Sequence, residues 1–573
     1  MIKRLESPFV VALLGLLFFV PFLGNVHLFD WDEINFAESA REMLVSGNYW
    51  RVQIDYKPFW EKPPLFFWLQ ALSMKAFGVN EFAARFPNAM IGVLTLLTLF
   101  FVGKRLIDKR FGFLWALAYL GSFTPHLYFK SGIIDPTFNF FMFLAIVFLV
   151  QTTTEKKVLF ALLAGLFAGL AVWTKGPVGV GVPTLTLGVV WAANHFKPFI
   201  SWKNLLVYGL TATLISAGWV AMMIMESGWD TFLAFLEYLY RLGTTSEADH
   251  GEPFYYHFVV VLLGCFPISV LGLKYLGHWT LDAGRSTLDA GNSTLATEVN
   301  SNRTDAPVQS PTAPAYRSKV PFSLFMLALF WVVMIVFSLV KTKIVHYSSM
   351  AYFPLSYLAA LQLHHWLKGE ISWPRWAMIL TGIIGFLMAA ILTIVPLAGM
   401  YAPQISPSIN DKFVVANLQA PVLWGGWEWS IGVVYFAVVL GCLVFWQRRK
   451  YLSIIGLFLS TALCLLVYSG FVVSKIETYT QRTVIDFYES KRGQDVYVWP
   501  LGFHSYAQFY YFEKPMGVRP EASNENWLLN GPVDKPTFLI ARIDRLDEYR
   551  YNPNLELIKE ENGFVFFKRK VDF

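Results

Sequence analysis

Of the 573 residues, 55% are hydrophobic and only 15% charged, and the mean hydropathy is +0.46. A soluble chain would carry roughly a quarter charged residues, so a water-soluble globule is excluded and a polytopic α-helical membrane protein is expected. The formal charge of +6 is spread over loops, where it speaks for membrane orientation rather than nucleic-acid binding.

The first apolar segment runs from Pro8 to Gly24 after Lys3 and Arg4. No small-x-small cleavage pattern follows it, so it reads as a retained helix rather than a signal peptide. Further spans are predicted at 82–102, 111–128, 133–152, 158–174, 177–193, 204–224, 254–276, 321–340, 345–366, 376–398, 428–446 and 452–473. That makes about thirteen crossings of a ~30 Å hydrocarbon layer. Alternate short loops are basic: Gly103 to Arg110, Glu155 to Lys157, Lys197 with Lys203, and Gln447 to Lys450. The positive-inside rule makes these loops and the N-terminus cytoplasmic, and an odd number of crossings puts the C-terminus outside.

Two loops are too long to be connectors. Residues 25–81 carry two amphipathic stretches, around 33–46 and 64–77, that are expected to lie flat on the outer membrane surface. Residues 277–319 hold a near-repeat (Thr280-Leu-Asp-Ala-Gly-Arg, then Thr287-Leu-Asp-Ala-Gly-Asn) and read as disordered cytoplasmic sequence. The membrane part is thus assigned to 1–474. Beyond it, Val496 to Pro500, Thr537 to Arg542 and Gly563 to Lys568 read as strands and Ser505 to Phe512 as a helix. A small extracytoplasmic α/β domain over 475–573 is expected. The cysteines, Cys265, Cys442 and Cys464, all fall in apolar stretches and imply neither disulfides nor a thiolate metal site.

Ionisable residues at membrane helix ends are costly, so their grouping is informative. On the outer side stand Asp30-Trp-Asp32-Glu33, Glu61-Lys62, Asp135 after Lys130, Lys175, Glu237 and Arg241, then Asp249, His250 and Glu252, and finally Lys341, Lys343, His346 and Tyr347. Acids of this kind accept a proton and the cations hold a phosphate. Together they suit attack by a hydroxyl or amine on a sugar with a phosphate leaving group. Structural readings compete with this one. Lys341 and Lys343 also fit snorkelling helix-end lysines, His250 a solvated loop residue, Glu81 and Arg85 a cap or pair at a helix start, and Asp135, before Pro136, a helix N-cap.

The stretches Asp32-Glu-Ile-Asn-Phe-Ala-Glu-Ser-Ala-Arg-Glu-Met43, Glu61-Lys-Pro-Pro-Leu and Glu81-Phe-Ala-Ala-Arg-Phe-Pro87 resemble the bacterial lipid A aminoarabinose transferase family. Ile133-Ile-Asp-Pro136, Thr174-Lys-Gly-Pro177 and Phe337-Ser-Leu-Val-Lys-Thr-Lys343 continue the resemblance in order. That family is similar to the protein O-mannosyltransferases and has the C-type glycosyltransferase fold. The resemblance implies an inverting transfer, at the periplasmic face of the bacterial inner membrane, of a sugar from undecaprenyl phosphate to lipid A or another cell-envelope acceptor. It implies catalytic roles for Asp32, Asp135 and Glu33, and phosphate binding by Lys62, Lys175 and Arg241. Glu61, Lys341, Lys343, Tyr347 and His250 are expected to line the cavity. Phe36 and Phe59-Trp60 stand where relatives often carry Tyr, so the sugar is left open. Asp30-Trp-Asp32 superficially matches the Asp-x-Asp metal motif of oligosaccharyltransferases, but with three basic side chains available no cofactor is expected to be required. The rival readings are a protein O-glycosyltransferase of the same fold and a lipid-linked sugar transporter or flippase.

Overall fold

The computed structural model of the protein describes residues 5–153, 157–245, 251–277 and 320–570. Among them, six helices are long and apolar enough to cross a membrane: Glu81–Leu106, Lys157–Lys175, Trp202–Ser227, Phe322–Leu339, Arg375–Met400 and Lys450–Thr478. Shorter apolar helices, Pro8–Phe19, Asp135–Gln151, Val178–Ala193 and Ser430–Val444, pack among them. The segment predicted at 254–276 is broken into Tyr256–Gly264, Ile268–Leu271 and Leu273–Leu276, because Pro267 cannot donate the hydrogen bond that a continuous helix needs there. The segment predicted at 345–366 begins as a 3₁₀ turn, Val345–Ala351, before the helix Tyr352–Lys368. The low-complexity stretch lies outside the described residues from 278 to 319.

Helix contacts follow the distribution of small residues. Lys157–Lys175 buries Ala161, Ala164, Gly165, Ala168 and Gly169, and a Cβ on Gly165 or Gly169 would strike Thr211 or Ile215 at 2.5–2.6 Å. Small residues spaced in this way bring backbones into contact where lipid supplies no hydrophobic drive. Deeper in the bundle the packing is aromatic, with Phe143 stacked on Phe353 at 4.4 Å and Trp115 edge-on to Tyr357.

After the last long helix, four strands form one sheet: β3 (Tyr497–Leu501), β4 (Thr537–Arg542), β5 (Leu555–Glu561) and β6 (Phe564–Arg569), in the order β3-β4-β6-β5. Three of these match the predicted strands. β5 escaped prediction because its exposed, charged run Leu555-Glu-Leu-Ile-Lys-Glu-Glu561 lacks a clear apolar alternation. The expected helix at 505–512 is reduced to Ala507–Tyr510. Two further strands, β1 (Gln53–Ile54) and β2 (Lys57–Pro58), make a small hairpin in the first long loop.

One expectation is reversed. The helix Asp32–Ser46 does not lie on a lipid surface: every residue from Glu33 to Met43 is buried. It packs on the helices Leu65–Phe77 and Ala507–Tyr510, and its Ile34, Ala37 and Ala40 share one buried apolar cluster with Val484, Tyr488, Tyr510 and Phe566 of the sheet domain. Its charges find partners within the protein. Arg41 clamps Glu38 at 2.7 Å through two nitrogens, and Arg41 and Tyr56 both donate to the carbonyl of Lys514. Buried charge is tolerated only when it is paired and hydrogen-bonded in this way.

Candidate active site

Helix termini assemble the site. Asp32 and Asp135 each stand in the first turn of a helix, where partial positive charge from unpaired amides favours a carboxylate. The N-cap position is held by Ile134, with Asp135 one residue further in, so the N-cap alternative does not hold. Lys175 closes the helix Lys157–Lys175, at the terminus that favours a cation. Gly176 follows at φ +91°, a left-handed position suited to glycine, and Pro177 leads into Val178–Ala193. The sequence Thr-Lys-Gly-Pro thus dictates a sharp reversal that leaves Lys175 at its apex.

The lysine Nζ lies 2.6 Å from Oδ1 of Asp135 and 5.1 Å from the centre of the Tyr347 ring. His346 stands between the acids, its Nε2 3.8 Å from Oδ2 of Asp135 and 3.9 Å from Oδ2 of Asp32. Lys62 donates to the Tyr238 hydroxyl at 3.2 Å and lies 3.7 Å from Glu61, and its charge acts on both Asp32 and Asp135. The hydroxyl and carboxylates around Lys62 hold its ammonium above the usual lysine range despite burial, which keeps it protonated. The two acids differ in access. The side chain of Asp32 is 34% exposed and that of Asp135 5%.

The structure therefore brings Asp32, Lys62, Asp135, Lys175 and Tyr347 together, with Glu61 beside them. Arg241 is exposed, one turn beyond Tyr238 on the helix Trp229–Thr244. Lys341 is exposed, whereas Lys343 is buried near His257, on which its charge acts. His250 lies outside the described residues.

Glu33 is placed elsewhere. Its oxygens accept from Arg85 at 2.7 and 3.0 Å and from the amides of Phe29 and Gly132. The Arg85 guanidinium holds the Glu33 carboxyl below the usual range in spite of complete burial. Both oxygens are taken up by donors within the protein, an arrangement that suits bracing the site. The pairing reading of Arg85 holds. Asp30 accepts from the Ser505 hydroxyl and the Tyr506 amide of the sheet domain. Among the described residues, His27, Asp486 and Glu489 each bring one metal-ligating atom within 4.8 Å of the others.

Tyr238 escaped the sequence-based site, and His346, grouped there with the outer-face ionisable residues, was given no role of its own. Both had a signal: His346 directly precedes Tyr347, and Tyr238 lies one helical turn before Arg241.

A sequence profile of the dolichyl-phosphate-mannose-protein mannosyltransferase family matches residues 61–219, a stretch that includes Lys62, Asp135 and Lys175. An undecaprenyl phosphate-alpha-4-amino-4-deoxy-L-arabinose arabinosyl transferase from Enterobacter sp. (strain 638) is 31% identical over 45% of this chain and 48% of its own. The counterpart in Edwardsiella ictaluri is 28% identical over 46% and 49%. The chain spans about half the length of the curated relatives it matches. The crystal structure of ArnT from Cupriavidus metallidurans bound to undecaprenyl phosphate superimposes with a TM-score of 0.72 at 17% identity, covering 98% of this chain and 97% of that one. In fold the chain is therefore like ArnT along nearly its whole length, and in sequence it is similar to the mannosyltransferase family and to the aminoarabinose transferases.

Proposed function

We propose that the protein is an inverting glycosyltransferase that moves a sugar from undecaprenyl phosphate to lipid A or a related cell-envelope glycolipid. The observation that carries this reading is the junction of Lys62 and Lys175 with Asp32, Asp135 and His346 at one end of the helix bundle. The named activity of the similar transferases supports the choice of donor.

In this reading Asp32, the more open acid, takes the proton of the acceptor as its oxygen attacks the sugar C1 from the face opposite the phosphate. The C1–O bond breaks, and its electron pair remains on the phosphate oxygen. Lys62 and Lys175 stabilise that charge as it develops. Asp135 orients Lys175 and, through His346, shares the field that acts on Asp32. Arg241 would meet the donor phosphate at the rim. Lys341 and Lys343 would line the cavity.

The reading includes about thirteen crossings, an N-terminus in the cytoplasm of a bacterial inner membrane, a membrane part over 1–474 and a periplasmic domain over 475–573. In a transporter, the polar residues would be expected near the bilayer midplane. Here they gather at helix ends. Transfer to a protein hydroxyl is the second reading, favoured by the mannosyltransferase profile over 61–219.

The test is reconstituted transfer. Asp32→Asn should lose at least about a hundredfold in rate while retaining undecaprenyl-phosphate binding. A variant that turns over normally would remove Asp32 from the chemistry. Mass spectrometry of lipid A and of secreted proteins, with and without the enzyme, separates the two acceptors.

A further inference from the structure

Beside the acids lies an aromatic group that the transfer step does not use. Trp31 directly precedes Asp32 and is 49% exposed. Its ring is 4.7 Å from that of His504, at a tilt of 35°, and 5.3 Å from that of Tyr506, which meets it edge-on. His504 is itself exposed. Both partners come from the segment after β3, nearly five hundred residues away in sequence.

That segment is pinned rather than loose. The Ser505 hydroxyl and the Tyr506 amide both donate to Asp30, and the Ala507 amide donates back to Ser505 at 3.1 Å. Tyr506 also borders the reaction centre, since its hydroxyl feels the charges of Glu61, Lys62 and Asp32. Burial, followed by the carboxylates of Glu61 and Asp30, pushes that hydroxyl up to about 12, so at neutral pH it is a donor.

Packed on His504 and Tyr506, Trp31 is still left half open directly beside Asp32, so part of its ring face is accessible there. Flat aromatic faces with hydrogen-bond donors at their edge suit the apolar face of a pyranose ring and its hydroxyls. From this arrangement we infer that Trp31 and His504, with Tyr506 at their edge, form the platform on which the acceptor's sugar headgroup rests while Asp32 takes its proton. The inference builds on the proposed transferase reading and gives the sheet domain a part in it: acceptor recognition. A carbohydrate headgroup is preferred over a peptide because the platform offers flat stacking faces and side-chain donors.

The experiment uses the full chain in nanodiscs, with purified lipid A as the probe. Without donor, lipid A should slow amide hydrogen exchange over residues 502–507 in the parent, and Trp31→Ala or His504→Ala should remove most of that protection. In turnover, Trp31→Ala should raise the acceptor KM about tenfold, with a smaller change in kcat and the donor KM within about twofold; Trp31→Phe should recover most of the loss. Unchanged exchange on adding lipid A would overturn the platform, as would a Trp31→Ala loss confined to kcat. If the parent transfers no sugar to lipid A, the choice of lipid A as acceptor fails by itself. The exchange measurement still decides the platform: protection keeps it, and none ends it.

Discussion

The imidazole Nε2 of His346 lies 3.8 Å from Oδ2 of Asp135 and nearly the same distance from Asp32. Two carboxylates approaching one imidazole need its proton, or the charges of Lys62 and Lys175, to offset their mutual repulsion. His346 thereby links the buried acid to the open one. Its replacement by alanine should lower kcat about a hundredfold and change the pH–rate profile, while the donor KM moves less. Steady-state rates across pH 5–9 check this; an unchanged profile would reduce His346 to packing.

Lys62 and Lys175 both face the donor phosphate in the proposed reaction, yet their removal should differ in cost. Lys175 is paired at 2.6 Å with an almost fully buried Asp135, so Lys175→Met strands a carboxylate and should destabilise by about 3–5 kcal/mol. Adding Asp135→Asn should restore most of the stability and none of the activity. Lys62 is held by a tyrosine hydroxyl and a partly exposed Glu61, so Lys62→Met should weaken donor binding with little change in the unfolding midpoint. Thermal unfolding in detergent, read beside donor affinity, separates the two effects.

Glu33 and Arg85 offer the opposite contrast. Glu33→Gln keeps the shape but removes the buried, four-bonded carboxylate that Arg85 pairs with, leaving the guanidinium without its counter-charge, and should cost about 3–5 kcal/mol. Activity per folded molecule should persist. Normal stability together with lost turnover would return Glu33 to the chemistry.

Stability should also fall with rising pH through Glu42. Burial, then the neighbouring Glu38, holds its carboxyl well above the usual carboxylate range. Above the ordinary value of 4.5, the unfolded chain releases a proton that the folded protein still binds. In that window stability is highest at the acid end and declines as pH rises. The parent's unfolding midpoint should therefore drop between pH 6 and 9, and Glu42→Gln should flatten the slope. A parent midpoint that rises over that range would contradict the assignment.

Hydropathy made the membrane character and the helix positions legible in the sequence, because crossing a bilayer demands long apolar runs whatever their neighbours. The strands β3, β4 and β6 were readable for a similar local reason. So were Asp32, Asp135 and Lys175, since a charge beside an apolar helix end stands out before any folding is known; Lys62 was read from the Glu61-Lys-Pro-Pro stretch of the long loop.

What the helix ends bring together was not legible. Only the tertiary structure distinguishes Asp32, left partly open, from Glu33, its neighbour in sequence, which Arg85 and two amides occupy. One residue along a helix turns the side chain by about 100°, and composition carries no record of which direction meets an arginine from a distant segment. The same holds for the helix 32–46. Its charged sequence reads as a surface element until the sheet domain, folded from the far end of the chain, covers it and brings His504 and Tyr506 to Trp31. Local physics decided which segments are helical and apolar; long-range packing decided which charges are paired away inside the fold and which gather, partly open, at the helix ends.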